Sequence, residues 1–93
     1  LAEALGIDCE IHACGPAHRA CMSATRNTNY YEVALVGPDC PNSVPPVYSC
    51  GYSDQLNCVD ANGHVPVPLG PGLGVCYDWD FINANTTSVE EFT

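Results

Sequence analysis

The sequence is poor in basic residues, and this shortage excludes several classes of partner. Arg19 and Arg26 are the only two basic side chains, against 11 acidic ones, and the formal net charge is −9. Proteins that bind nucleic acids or anionic membrane surfaces need patches of lysine and arginine, because both partners carry dense negative charge. Two arginines cannot build such a patch. We therefore expect neither a nucleic acid nor a membrane among the partners.

Long apolar runs are also missing. The longest apolar stretches, such as 33–36, have the size of a strand and fall far short of the roughly 20 residues that a membrane-spanning helix needs. The first residues lack the basic and then apolar pattern of a secretory signal. The chain starts at Leu1 rather than at a methionine, and residues 1–6 are typical of a helix end stopped by Gly6. We therefore expect these residues to be a piece of a longer protein.

The seven cysteines among 93 residues allow two interpretations. A small secreted binding module held together by disulfides is one of them. The odd number and the missing signal argue against it. So do Cys9 and Cys21, which lie at positions that should be apolar, where a free cysteine behaves as a small buried hydrophobe. We favour reduced thiols and a cytoplasmic location, and the disulfide-held module remains the alternative.

Two strand-like runs, 7–12 and 30–36, flank one segment of helix length. Side chains alternate between the faces of a strand, so Asp8, Glu10 and His12 should share one face of the first run. Pro16 suits the first turn of the helix between the runs. A stripe of small residues at helical spacing would let this helix sit close to a sheet (Ala17, Ala20, Cys21 and Ala24). The order strand, helix, strand is the unit of a parallel α/β sheet or barrel.

Ionisable side chains at or near the ends of the two runs are the candidate catalytic residues. In parallel α/β folds the chemistry lies at the carboxyl ends of the strands, so His12 stands where a catalytic base is expected. An imidazole with an ordinary pKa of about 6.5 can exchange a proton near neutral pH. Glu32 is the corresponding ionisable residue of the second run.

The composition changes after Gly37. Residues 37–76 contain seven of the eight prolines and six of the eight glycines. Asn62 and Gly63 predict a tight turn at the tip of a hairpin. The run 66–74 holds too many prolines for a helix or a central strand. We expect a segment that crosses the surface of a larger body, then about one helical turn over 77–82 and a polar tail.

Several of these features together resemble one known family. The residues that carry the resemblance are His12, Gly15-Pro16-Ala17, Asn27, Tyr30-Tyr31-Glu32, Val65-Pro66-Val67-Pro68, Gly70-Pro71-Gly72-Leu73-Gly74-Val75 and Asp78-Trp79-Asp80. In this order they resemble the carboxyl-terminal part of the mandelate racemase subgroup of the enolase superfamily. The resemblance covers nearly the whole chain, and its proline- and glycine-rich tail is the most specific part.

The resemblance implies a fold and a division of the chain. Residues 1–36 would be the C-terminal end of a modified (β/α) TIM-like barrel, and would contribute its last two strands and one crossover helix. Residues 37–93 would form an irregular return segment that packs toward an α+β capping domain. The expected fold class is therefore α/β.

The resemblance also implies a chemistry. Members of the family bind a carboxylate substrate on Mg²⁺ and remove the proton next to the carboxylate, which leads to acid-sugar dehydration or to racemisation. In this resemblance, His12 corresponds to the catalytic base of the family. Glu32 corresponds to the acid that hydrogen-bonds the enolate oxygen or the departing group. The Mg²⁺ ligands are expected upstream, so we predict no metal ligand within residues 1–93.

The same resemblance sets the expected partners. The substrate would be a small hydroxy acid or an acid-sugar carboxylate, and the full-length protein would be a homo-oligomer. Residues 1–93 alone would then be inactive. A non-functional truncated gene product is the remaining alternative, because the predicted strands would expose sheet edges and the return segment would have no cap to rest on.

Overall fold

Short helical elements and isolated bridges make up the regular structure of this chain. The computed structural model describes residues 1–34 and 47–93. Within these ranges it contains 3₁₀ turns at Glu3–Leu5 and Leu56–Cys58, helix α1 at Pro16–Ser23 and helix α2 at Trp79–Asn85. Two isolated bridges complete the description: Ala34 with Gln55 in parallel, and Tyr48 with Tyr77 antiparallel.

The prediction of an α/β barrel fragment is wrong. The first predicted strand, 7–12, has no strand structure, and in the second only Ala34 forms a bridge. No sheet is present in the described ranges, so the two barrel strands that α1 was expected to connect are absent there. The end of the second run, 35–36, and the predicted domain boundary after residue 36 lie outside the described residues.

Proline and glycine act at the positions predicted for them, but no strands flank the turn at Gly63, so the predicted hairpin does not form. Pro16 occupies the first turn of α1. Gly6 ends the first 3₁₀ turn in the left-handed conformation, with φ 68°, which a glycine adopts without steric cost. Gly63 has φ 80° in a turn that the Asp60 N–H closes by donating to His64 O at 2.8 Å. Helix α2 begins at Trp79 and extends to Asn85, beyond the single turn expected over 77–82. Asp78, which was not predicted as a cap, caps it, because its side chain accepts from the Phe81 N–H at 2.9 Å.

Helix α1 is oriented opposite to the prediction. The small residues of the predicted packing stripe are all exposed to solvent (Ala17, Ala20, Cys21 and Ala24). The buried residues of α1 are Pro16 and Arg19, on the other side. The helix therefore packs through the charged side chain of Arg19 rather than through its alanines.

Arg19 and Asp54 form a buried ion pair that joins distant parts of the chain. Arg19 Nη2 lies 2.8 Å from Asp54 Oδ1, and the two side chains are only 2% and 4% exposed. The Arg19 guanidinium also donates to Pro66 O at 2.8 Å and lies 4.4 Å from the centre of the Tyr52 ring. Since a buried charge is costly unless it is paired and hydrogen-bonded, these contacts hold α1 against residues 52–54 and 66.

Two tyrosine hydroxyls complete the surroundings of Asp54. Tyr52 and Tyr31 both donate to Asp54 Oδ1, the former at 2.9 Å. Burial, together with the hydrogen bond to Asp54, raises the pKa of Tyr31, so its hydroxyl stays protonated and remains a donor. We call these four residues, Arg19, Tyr31, Tyr52 and Asp54, the polar hub.

Apolar burial contributes little around this hub. In residues 1–34 and 47–93 no aliphatic, aromatic or sulfur-containing residue is buried, whereas Arg19 and Asp54 are only 3% and 6% exposed. A row of aromatic rings runs outward from the hub, with centroids 4.8 Å apart for Tyr48 and Tyr52 and 5.4 Å apart for Tyr48 and Tyr77. The radius of gyration is 15.6 Å, compared with about 12 Å for a close-packed domain of this length. The packing is therefore loose and its centre is polar.

None of the helices in the described part of the chain is long and apolar enough to pass through a lipid bilayer.

Replacing Arg19 with methionine should destabilise the folded state by about 3–5 kcal/mol, because Asp54 would be left buried and unpaired. Near-ultraviolet circular dichroism and urea titration would measure the loss of the folded state. Arg26→Met is the matched control. Arg26 forms the chain's other arginine pair, with Nη2 2.6 Å from Glu3 Oε1, but its side chain is 83% exposed. Removing it should cost at most about 1 kcal/mol. Equal effects of the two substitutions would contradict the role of the polar hub.

Candidate functional site

Residues 7–13 and 27–32 lie side by side without forming a strand ladder. Asn27 Nδ2 donates to Ile7 O at 2.7 Å, and the Cys9 N–H donates to Asn27 O at 2.8 Å. Asn29 Nδ2 donates to Asp8 Oδ2 at 2.9 Å. Most of these bonds use side chains, and such side-chain bonds compete with regular backbone pairing. This competition explains why the predicted strand over 7–12 does not form.

Glu10 fixes the turn that faces it. Its carboxylate accepts from the N–H groups of Asn29 and Tyr30, at 3.0 Å each, and from the Thr28 hydroxyl at 3.0 Å. The hydrogen bond from Tyr30, followed by those from Asn29 and Thr28, lowers the pKa of Glu10 although slight burial opposes the shift. Glu10 is therefore an ionised acceptor that positions residues 28–30.

The two predicted catalytic residues meet in the structure. His12 Nδ1 lies 3.1 Å from Glu32 Oε2, although 20 positions separate the residues in the chain. The Ala13 N–H donates to the same Glu32 oxygen at 2.5 Å. Ala13 has φ 71°, a left-handed conformation that is uncommon for a residue other than glycine. Such backbone strain is more frequent at functional sites than elsewhere.

All three ionisable side chains predicted to share one face contact the same neighbouring segment. Asp8 and Glu10 bind residues 28–30, and His12 meets Glu32. The strand on which this prediction rested is absent, and hydrogen bonds and the His12–Glu32 contact bring the three side chains to the facing segment instead. Their roles differ, because the carboxylates of Asp8 and Glu10 accept hydrogen bonds from residues 28–30.

An open cavity of about 330 Å³ lies beside the His12–Glu32 pair. Glu10, Ile11, Tyr30 and Tyr31 form the rest of its wall. The cavity is wide open to solvent rather than enclosed. The His12 side chain is 94% exposed, so a ligand can approach the imidazole from solvent.

Tyr31 connects this cavity to the polar hub. It lines the cavity, its hydroxyl donates to Asp54, and the same hydroxyl accepts from the Gly15 N–H at 2.8 Å. Gly15 immediately precedes α1, so the start of the helix, the hub and the cavity wall share one side chain. The sequence gives no local signal for this arrangement, because Asp54 lies 23 positions from Tyr31.

The cavity does not fit a divalent metal ion by itself. Two carboxylates are present, but Glu10 already accepts several hydrogen bonds from residues 28–30. No cluster of three or more histidine, cysteine or acidic side chains able to hold a metal occurs within the described ranges. Any Mg²⁺ that serves this site would need ligands from outside these residues.

The residues that sequence analysis missed are those of the polar hub. Arg19 is one of only two basic residues, and it lies on the side of α1 opposite the small-residue stripe. That position could have indicated a buried ion pair. Its partner Asp54 could not have been chosen among 11 acidic residues from spacing alone, because the pair spans 35 positions.

No protein family, curated protein or solved structure matches the chain. The resemblance to the mandelate racemase subgroup therefore remains a hypothesis that rests on the residues named above.

The lowered pKa of Glu10 predicts an acid-sensitive turn. Since its folded-state pKa lies below the ordinary 4.5, the bonds of Glu10 stabilise the turn above that pH. They are lost as the pH falls through the lowered value. The amide resonances of Asn29 and Tyr30, followed by NMR, should titrate with a midpoint below 4.5, and Glu10→Gln should abolish this titration.

Asp60 supplies an internal control for this experiment. Hydrogen bonds from the His64 and Asn62 N–H groups lower its pKa, and they act in a separate turn. The amides of Asn62 and His64 should therefore titrate unchanged in Glu10→Gln. A Tyr30 amide that titrates at or above 4.5 would show that Glu10 does not hold the turn as an ionised acceptor.

Proposed function

We propose that His12 and Glu32 form a proton-transfer pair that removes the α-proton of a small hydroxy-acid or acid-sugar carboxylate. The outcome would be dehydration or racemisation, the chemistry that the resemblance to the mandelate racemase subgroup implies. The observation that carries the proposal is the 3.1 Å contact between His12 Nδ1 and Glu32 Oε2 beside an open cavity. The proposal concerns these side chains and does not require the barrel that the structure contradicts.

The contact determines which imidazole nitrogen can act as the base. A carboxylate only accepts hydrogen bonds, so Nδ1 carries the proton in its contact with Glu32. In the neutral ring this leaves the lone pair on Nε2 free to accept a proton from carbon. Transfer to Nε2 creates an imidazolium, and the adjacent negative charge of Glu32 stabilises it.

The surroundings of Glu32 favour an orienting role over the acid role expected by match. Its Oε2 accepts from the Ala13 N–H and faces His12 Nδ1, so contacts with residues of this chain already occupy that oxygen. In the proposed reaction Glu32 therefore fixes the ring of His12 and its tautomer.

A carboxylate substrate needs a positive counterpart that these residues do not offer. Glu10 and Glu32 both line the cavity, and the arginine of the polar hub is already paired with Asp54. In the family that the chain resembles, Mg²⁺ supplies the positive charge and acidifies the proton next to the carboxylate. We propose that residues elsewhere in a longer protein hold this ion, and that residues 1–93 alone do not turn over substrate.

The proposal includes a cytoplasmic location. It rests on the odd number of cysteines, which argues against a module held together by disulfides. Cys9 and Cys21 do not add to this argument, because both are exposed rather than buried. The six cysteines in the described ranges are free thiols.

The test is solvent exchange of the substrate α-proton in deuterated water, followed by NMR in the longest natural protein that carries these residues, with Mg²⁺ present. His12→Asn should lower the exchange rate by about 10²- to 10⁴-fold, the usual contribution of a general base. Glu32→Gln should lower it by a smaller factor, because the amide can still contact the ring but does not stabilise the imidazolium.

His64→Asn is the matched control. His64 is exposed and lies in the turn closed by Asp60, so its replacement should leave the exchange rate unchanged. Undiminished exchange in His12→Asn would remove His12 from the role of base. Exchange that is insensitive to Glu32→Gln, with His12 still required, would remove the orienting role of Glu32.

A further inference from the structure

Two cysteines from distant parts of the chain meet beside the antiparallel bridge of Tyr48 with Tyr77. The Ser49 N–H donates to Cys76 O at 3.0 Å, and this backbone bond brings Cys50 alongside Cys76. The Cys76 N–H in turn donates to Cys50 Sγ at 3.2 Å. The same sulfur lies 3.8 Å from Cys76 O, so the thiol of Cys50 rests directly on the backbone of Cys76.

We propose that Cys50 is a site of oxidative modification and that Cys76 converts the product into a Cys50–Cys76 disulfide. The reacting class of oxidant is a hydroperoxide, with hydrogen peroxide as the simplest member. The geometry carries the proposal, because the two cysteines are held together by backbone hydrogen bonds and both are exposed to solvent.

The reaction proceeds in two balanced steps. The Cys50 thiolate attacks one peroxide oxygen and the O–O bond breaks, which gives a sulfenic acid on Cys50 and a hydroxide that takes up a proton to become water. The Cys76 thiol then attacks the sulfenic sulfur. The S–O bond breaks, a second water leaves, and the S–S bond forms. In total the two thiols lose two electrons and two protons, and the peroxide is reduced to two waters.

The surroundings of Cys50 favour the thiolate form of its side chain. Hydrogen bonds from the backbone of Cys76 and Tyr52 lower the pKa of the Cys50 thiol, and the Cys76 thiol contributes in the same direction. Cys14 provides the contrast, because burial, together with the charges of nearby acidic residues, raises the pKa of its thiol. Oxidation follows thiolate character and exposure, and Cys50 combines both.

Pairing of Cys50 with Cys58 is the competing outcome. Cys58 lines the same cavity as Cys50, a space of about 370 Å³. Its sulfur accepts from Arg19 Nη2 at 3.4 Å, and the residue is only partly exposed. Cys58 is thus directed toward the polar hub, whereas Cys50 is directed toward Cys76. The structure therefore predicts selective pairing of Cys50 with Cys76.

The test is limited oxidation of the reduced chain with hydrogen peroxide near neutral pH, followed by blocking of free thiols and peptide mapping without reductant. A Cys50–Cys76 linked peptide should be the main intramolecular product. Before oxidation, a limiting amount of iodoacetamide should label Cys50 at least about threefold faster than Cys14 or Cys21. Both measurements use the unsubstituted chain, so they do not depend on the folding of a variant.

Two variants separate the roles of the cysteines. In Cys76→Ser the sulfenic acid of Cys50 should persist and be trapped by dimedone, with loss of the linked peptide. Cys21→Ser is the control, since Cys21 is exposed on α1, and it should give the same linked peptide as the unsubstituted chain. Linkage of Cys50 mainly to any other cysteine, or labelling of Cys50 no faster than that of Cys21, would overturn the proposal.

Discussion

The buried contact between the Arg19 guanidinium and Asp54 is the interaction on which the described structure depends. It joins α1 to residues 52–54, and the same guanidinium reaches Pro66 O. The ion pair is surrounded by two tyrosine rings, whose hydroxyls satisfy Asp54 and whose faces lie against the arginine. In a chain with two basic residues, one of them serves this purpose. Shielding from water makes this pair far less sensitive to salt than the exposed pair of Arg26 with Glu3.

The hub also positions the candidate site, although it takes no part in the proposed proton transfer. Tyr31 is bound on one side by Asp54 and the Gly15 N–H, and on the other it forms part of the wall beside His12 and Glu32. The carboxylate of Glu10 fixes the turn that leads into Tyr31. The relative position of His12 and Glu32 thus depends on two anchors, one buried and one exposed. The exposed anchor is lost as the pH falls through the lowered pKa of Glu10.

The sequence predicted local features well, because each depends on the chemistry of one or two neighbouring residues. Pro16 begins a helix, Gly6 ends a 3₁₀ turn, and Gly63 allows a tight turn, and all three effects act within a few positions. His12 and Glu32 were both predicted to be catalytic residues, from their places at or near the ends of the two runs. The structure brings them into contact through side-chain bonds between the two segments and not through paired strands.

The strands and the packing direction of α1 could not be predicted in the same way. Asp8 and Glu10 have two possible uses, as alternating residues of a strand or as acceptors for a facing turn, and their sequence pattern is the same in both cases. The stripe of alanines on α1 predicted contact with a sheet, but no sheet forms in the described ranges to receive it. The choice between an apolar and a charged packing face depended on Asp54, which is far away in the sequence.

The absence of a fully buried hydrophobic residue in the described ranges has a consequence for how this chain responds to temperature. The heat capacity change of unfolding comes mainly from apolar surface that becomes exposed to water, and exposed polar surface contributes with the opposite sign. Unfolding around a polar centre should therefore have a small heat capacity change, and the free energy of unfolding should vary almost linearly with temperature. Such a chain would lack a pronounced temperature of maximum stability and would show a broad thermal transition.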